Sequence, residues 1–294
     1  MTHVATLIGA PDALAKAIAR AHTALPETHE PRRLGPDAVD ILFTPEAAVD
    51  QRALGKQLRG PFGNIDIVIQ PATNRRKKLL VADMDSTMIA QECIDELADY
   101  IGLKRHVAAI TERAMRGDIA FEPALRERVA LLKGLPISTI DEVLRDRITL
   151  ASGGRTLVAT MRAHGARAVM VSGGFTLFTE RIAAMIGFDE HRANRLVLDG
   201  DRLAGMVAEP IFGRDGKRAA LIELRQNLGL SASETLAVGD GANDVDMIAE
   251  AGLGVAFHAK PKVAAAAPAR IDRADLTALL YAQGYRREEF AQAP

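Results

Sequence analysis

Four short apolar runs limit what this chain can fold into: LLVA at 79–82, ARAVMV at 166–171, TLAV at 235–238 and LGVAF at 253–257. A strand with one wet face alternates polar and apolar residues. A near-continuous apolar run belongs to a strand covered on both faces. Helical stretches separate these runs, and strands alternating with helices build a parallel sheet between helical layers. Aromatic residues are only 4% of the 294 and Trp is absent, so Ala, Val, Leu and Ile must fill the core.

Two other blocks flank this pattern. Residues 1–73 read as a small α+β unit, with HVATLIGA, AVDILF and IDIVIQ as strands. The helices there are PDALAKAIARAHTAL, with Pro11 and Asp12 at its start, and AAVDQRALGKQL. The polar, basic PATNRRKK at 71–78 reads as a solvated linker and a domain boundary. Residues 91–160, between the first two runs, hold several helical segments where one crossover helix would suffice. They form a helical insertion, a lid over a core made of 79–90 and 161–294. Asp199-Gly200, set between apolar residues, signals a hairpin.

Ligands of open parallel sheets bind at the carboxyl ends of the strands. The first run is followed by Asp83-Met84-Asp85-Ser86-Thr87, the second by Ser172-Gly173-Gly174-Phe175, the third by GDGANDVDM at 239–247. Asp83 and Asp85, two apart in extended chain, face one side. With Asp240 and Asp244 they are too many carboxylates to coexist without a cation, and a hard divalent ion such as Mg²⁺ takes oxygen ligands of this kind. Ser172, Gly173 and Gly174 read as the opening of a helix, FTLFTERIAAMIG, and so as an anion site. Lys217, just before another helix, offers a fixed positive charge. Cation and anion sites side by side point to a phosphate ester, whose transfer needs positioning and charge neutralisation, with an aspartate able to act as nucleophile. An EF-hand reading fails on Asp/Asn spacing, and a P-loop reading fails because Ile211 and Arg218 stand where Gly and Ser/Thr are required.

The remaining composition narrows the setting. A net charge of −1 gives no reason to expect a nucleic-acid or acidic-membrane partner. No apolar run approaches a membrane span, and the first residues do not read as a signal peptide. The one cysteine, Cys93, allows no intrachain disulfide and reads as a packed thiol, which fits a cytoplasmic setting.

As a set, DMDSTMI (83–89), SGGF (172–175), Lys217 and GDGANDVDM (239–247) resemble the four motifs of the haloacid dehalogenase superfamily of phosphatases. More narrowly, QECIDELA (91–98) and MRGDIAFEPALRERVALLKGL (115–135) are similar to the substrate-recognition segments of its phosphoserine phosphatases. The resemblance implies a Rossmann-like α/β core with an inserted helical cap, and hydrolysis of O-phospho-L-serine through an aspartyl-phosphate, the last step of serine synthesis. It implies Asp83 as nucleophile and Asp85 as acid and base. Mg²⁺ would be held by Asp83, the Asp85 main-chain carbonyl and Asp240, with Asp244 in support. Ser172, Gly173 and Lys217 would bind phosphate, and Asn243 the phosphate or attacking water. Glu92 would take the substrate ammonium and Arg128 its carboxylate, while Met115 and Phe121 close over the side chain. The 1–73 unit resembles the ACT-like regulatory domains in front of some longer members. Two rivals stay open: phosphoryl transfer to another alcohol such as homoserine, and a non-catalytic amino-acid sensor. A homodimer is allowed for.

Overall fold

The computed structural model describes residues 1–60, 64–116 and 118–292, with 114–116 as backbone only. The N-terminal unit runs β1 (His3–Gly9), α1 (Pro11–Ala24), β2 (Arg32–Gly35), β3 (Ala38–Phe43), α2 (Gln51–Arg59) and β4 (Ile65–Pro71). Its antiparallel sheet has the order β2-β3-β1-β4. Pro11 starts α1, where a missing N–H costs nothing. The second helix begins at Gln51 and not at residue 47, because the Asp50 carboxylate accepts the Ala53 N–H at 3.0 Å and fixes the helix start.

One face of this sheet, with Ala5, Leu7, Ile41, Ile65, Ile67 and Ile69, packs on Leu14, Ala17 and Ala21 of α1. The alternate residues Thr6, Asp40, Asp66 and Gln70 are also buried, under the rest of the chain. Gln70 donates to the Ala282 carbonyl at 2.6 Å, and Asp66 accepts the N–H groups of Asp272, Arg273 and Ala274. The basic 71–78 stretch is not a solvated linker throughout. Arg75 donates to Asp40 at 2.7 and 3.0 Å and to the Ala282 carbonyl at 3.1 Å. Lys77 is buried and donates to the Asn74 and Ser233 carbonyls. These partners offset the desolvation that would otherwise keep both cations in water.

The chain then enters β5 (Leu79–Ala82) and four helices, α3 (Cys93–Tyr100), α4 (Lys104–Arg116), α5 (Phe121–Ala130) and α6 (Ser138–Asp146). Next come α7 (Gly154–Ala163), β6 (Arg167–Phe175), α8 (Thr176–Ile186) and β7 (Glu190–Asn194). β8 (Leu196–Asp199) and β9 (Arg202–Val207) form the hairpin expected at Asp199-Gly200, with Gly200 at φ 61°. The remainder is α9 (Arg214–Asn227), β10 (Thr235–Gly239), α10 (Val245–Glu250), β11 (Leu253–Phe257), α11 (Pro261–Ala266), β12 (Ala269–Ile271) and α12 (Ala278–Ala282). The expected division at residue 160 falls inside α7, which packs on β6.

The second sheet is parallel, in the order β12-β11-β10-β5-β6-β7. Leu80 and Ala82 of β5 join the larger core on one face, and Leu79 and Val81 a smaller cluster with Leu221 and Leu224 of α9 on the other. Continuous apolar strands are thus covered on both sides. Ala82 is level with Val238 in β10 and with Met170 in β6, so the three signature segments follow together at the carboxyl end of the strands. Among the described residues no helix is long and apolar enough to cross a membrane.

Candidate active site

Asp83 is the first residue past β5, and its N–H still donates to the Val238 carbonyl at 3.0 Å, so the ladder aims its carboxylate. Asp240 and Asp244 arrive from the loop after β10. Single carboxylate oxygens of Asp83, Asp240 and Asp244 lie within 4.8 Å of one another, and all three residues are buried. Glycine makes this approach possible: a β-carbon on Gly239 would lie 2.4 Å from Asp244 Cγ. Lys217 projects from the first turn of α9, not from before the helix, and has no exposed surface. Its ammonium donates to Asp83 at 2.6 Å and to Asp244 at 2.7 Å.

One ammonium does not balance three buried carboxylates. Burial, then the charge of Asp244, pushes the Asp83 carboxyl well above its usual range against the pull of Lys217. Burial and Asp244 raise Asp240 to about 6. Burial alone would lower the Lys217 ammonium, but Asp244 and Asp83 outweigh it and raise it. Close, buried, oxygen-only donors with a surplus of negative charge fit a hard divalent cation.

Asp85 stands apart from that triad. Its Oδ1 accepts the Cys93 N–H at 2.9 Å and its Oδ2 the Ser172 hydroxyl at 3.1 Å, while Ser172 Oγ accepts the Gly174 N–H at 2.8 Å. Burial raises the Asp85 carboxyl, and the bonds from Cys93 and Ser172 hold it down. This corrects one expectation. Ser172, Gly173 and Gly174 do not open a helix: β6 runs on to Phe175, which pairs with Asn194 past a shift in register, and α8 begins only at Thr176.

Above these groups lies a cleft of about 520 Å³, lined by Asp83, Asp85, Gly173, Asp240 and Asn243 from the core and by Glu92, Phe121 and Arg128 from the helices after β5. Glu92 occupies the N-cap of α3 without capping it; its carboxylate accepts the Ser86 hydroxyl at 2.7 Å. Enclosure by protein, then the charge of Asp85, raises it to about 7. Among the described residues Arg128 donates to the Ala124 carbonyl at 3.2 Å and to Thr111 Oγ1 at 3.4 Å, and burial lowers it. Acid and guanidinium thus line one cleft with polar capacity to spare. The Phe121 ring sits against Gly173, where a β-carbon would stand 3.4 Å from it. The Met115 side chain lies outside the described residues.

Several participants carry no sequence signal of their own. Thr87 Oγ1 donates to Asp240 at 3.2 Å. Buried Asn194, in the polar stretch EHRAN, donates to the Gly173 and Phe212 carbonyls at 2.9 and 2.8 Å and so fixes the end of β6 that carries Ser172. Lys260 and Lys262 line the cleft from the turn after β11 and the start of α11.

The chain is similar to known proteins over most of its length. Residues 80–249 match the family model described as haloacid dehalogenase-like hydrolase. A phosphoserine phosphatase of Polaromonas sp. is 47% identical over 208 residues, which cover 69% of this chain and 88% of that protein. A haloacid dehalogenase family hydrolase of Salmonella enterica serovar Typhi superposes with a TM-score of 0.86 at 28% identity, over 95% of this chain and 97% of that one. A phosphoserine phosphatase structure with a phospho-aspartyl intermediate analogue superposes with a TM-score of 0.65 at 37% identity, over 70% of this chain and 98% of that one.

Proposed function

The chain belongs to the haloacid dehalogenase-like hydrolases, and we propose that it hydrolyses O-phospho-L-serine to L-serine and phosphate. The observation that carries this reading is that Glu92 and Arg128 line the same cleft as Asp83 and Asp240, two members of the buried carboxylate triad. A phosphorylated amino acid presents a phosphate, an ammonium and a carboxylate, and the cleft offers a complement to each.

In this reading an Asp83 oxygen attacks phosphorus and the bond from phosphorus to the seryl oxygen breaks. Asp85 delivers its proton to that leaving oxygen. The ionised Asp85 then takes a proton from water as the water attacks the aspartyl-phosphate, which releases phosphate and frees Asp83. The bond from the Cys93 N–H keeps Asp85 oriented through both transfers, while the single Ser172 proton, on Asp85 in the free site, would turn to the phosphate. Asp83, Asp240 and the Asp85 main-chain carbonyl would hold Mg²⁺, with Asp244 beside them, and the ion when bound supplies charge neutralisation for the phosphate. Ser172, the Gly173 N–H and the remaining proton of Lys217 would bind phosphate oxygens, and Asn243 the phosphate or the attacking water. Met115 and Phe121 would close over the substrate.

Serine synthesis in the cytoplasm is the setting this reading implies. The 91–160 helices act as the cap and residues 1–73 as a regulatory unit. Phosphate release should be measured from a panel of phosphorylated metabolites with Mg²⁺ and with chelator. Release from phosphoserine that needs the metal is expected; preference for an ester without the amino and carboxyl groups refutes the substrate. Formation of a new phosphoester when homoserine is added would move the reading to phosphotransfer.

A further inference from the structure

Lys260 stands at the mouth of the cleft, exposed, and none of the ion pairs among the described residues includes it. Its position matters because of charge. A phosphate dianion entering the cleft meets Asp83, Asp85, Glu92 and Asp240. Lys217 is already committed to Asp83 and Asp244, and Arg214 to Asp246. Lys260, with Lys262 beside it, is the positive charge left to attract an anion on this wall.

The turn that carries Lys260 is held in place from outside the site. His258, two residues earlier, has φ 43°, in the left-handed region where a residue with a β-carbon stays only if its surroundings hold it. Two bonds do so. The His258 N–H donates to the Ile271 carbonyl at 2.8 Å, and ring Nε2 lies 2.9 Å from the Ala274 carbonyl, to which it must donate. The Lys260 N–H in turn points at the Asp240 carbonyl, 3.4 Å away.

The 272–274 loop that receives His258 is itself anchored by the N-terminal unit. Buried Asp66 of β4 accepts the N–H groups of Asp272, Arg273 and Ala274 at 2.7, 3.1 and 2.8 Å. Three N–H groups converging on one carboxylate make an anion nest, and they fix the loop's path. Arg52 of α2 adds a bond to the Ala265 carbonyl in α11 at 3.2 Å, just past Lys262 and Val263. A chain of hydrogen bonds therefore runs from Asp66 through Ala274 to His258, two residues before Lys260.

We propose that Lys260 draws the substrate phosphate into the cleft, and that His258 and Asp66 are positioning residues for it. The N-terminal unit then supplies part of the scaffold of the substrate site. This rests on the reading of the cleft as a phosphomonoester site, though not on which ester it takes.

The test is a double-mutant cycle in the full chain. Lys260→Gln and His258→Gly should each raise KM for phosphoserine about three- to tenfold with kcat within about twofold, the size of one exposed charge-assisted contact. Glycine keeps the left-handed backbone and removes the ring, with its bond to Ala274 and its stack on Phe257. The double variant should be no worse than Lys260→Gln alone, because His258 acts through Lys260. His258→Gln, whose amide can donate to the Ala274 carbonyl, should restore KM. Asp66→Asn should raise KM in the same way; should it not fold, the His258 cycle decides alone. Losses that multiply in the double variant, or a wild-type KM in Lys260→Gln, overturn the proposal. The same cycle read calorimetrically as the Kd of inorganic phosphate with Mg²⁺ holds even if phosphoserine proves not to be the substrate.

Discussion

The Lys217 ammonium lies between Asp83 and Asp244, 2.6 Å from one carboxylate and 2.7 Å from the other, with no access to water. Two of its three protons are thereby spent on protein. Lys217 is first a counter-ion that makes the triad tolerable, and only its third proton is left for a phosphate oxygen.

Lys217→Met removes that counter-ion and strands two carboxylates. Breaking a buried pair from one side costs about 3–5 kcal/mol. We predict a large drop in the melting temperature without Mg²⁺ and partial recovery with it. Loss of a charge aimed at the reacting phosphate should lower kcat about 10²–10³-fold even at saturating metal.

Asp83→Asn separates stability from activity. Burial and Asp244 hold the Asp83 carboxyl well above its ordinary range, so its ionised form costs the metal-free fold free energy at neutral pH. The amide should leave no measurable turnover yet melt higher than wild type in chelator. The upward shift that Mg²⁺ gives wild type should shrink in this variant. A normal Mg²⁺ shift would remove Asp83 from the metal site.

The pH dependence should follow Glu92, raised to about 7 by its enclosure. A carboxylate must be ionised to hold an ammonium, and a raised acid loses that form as pH falls through 7. The kcat/KM for phosphoserine is therefore expected to rise between pH 6 and pH 8 in a limb absent for phenyl phosphate, which has no ammonium. Glu92→Gln should flatten the limb and raise KM. The sign for stability is opposite: a folded pKa above the unfolded value means that ionising Glu92 weakens the fold as pH rises toward 7.

Gly174→Ala would place a β-carbon 2.9 Å from Asp85 Oδ2 and 3.0 Å from Ser172 Oγ. Either the acid or the hydroxyl must move, and displacements of this size in a catalytic group cost about 10²-fold. A fall in kcat with little change in melting temperature is the expected pattern. Unchanged kcat would show that the orientation of Asp85 is not limiting.

Strands covered on both sides were legible because apolar runs such as Leu79–Ala82 leave no alternative. The strands that escaped notice, Arg32–Gly35, Glu190–Asn194 and Ala269–Ile271, all lie at sheet edges. An edge strand has neighbours on one side only and needs no apolar run. The acids of the site could be read because charge at the end of an apolar strand is conspicuous. Asn194 and Thr87 could not, since a lone polar residue acquires meaning only from the carbonyl or carboxylate that the fold brings to it. Arg75 and Lys77 were misleading for the same reason: their partners lie at Asp40, Ser233 and Ala282, far along the chain.

The buried second face of the N-terminal sheet decides how the molecule comes apart. Asp66 and Gln70 find their partners only while the loop after β12 and the last helix are in place, and Arg75, which pairs with Asp40, donates to the same Ala282 carbonyl as Gln70. Melting the N-terminal unit alone would leave Ala282 and the 272–274 amides uncovered, and melting the rest alone would strand the Asp66 carboxylate. Heat should therefore meet one cooperative transition, with calorimetric and van't Hoff enthalpies in agreement, and not two separate ones.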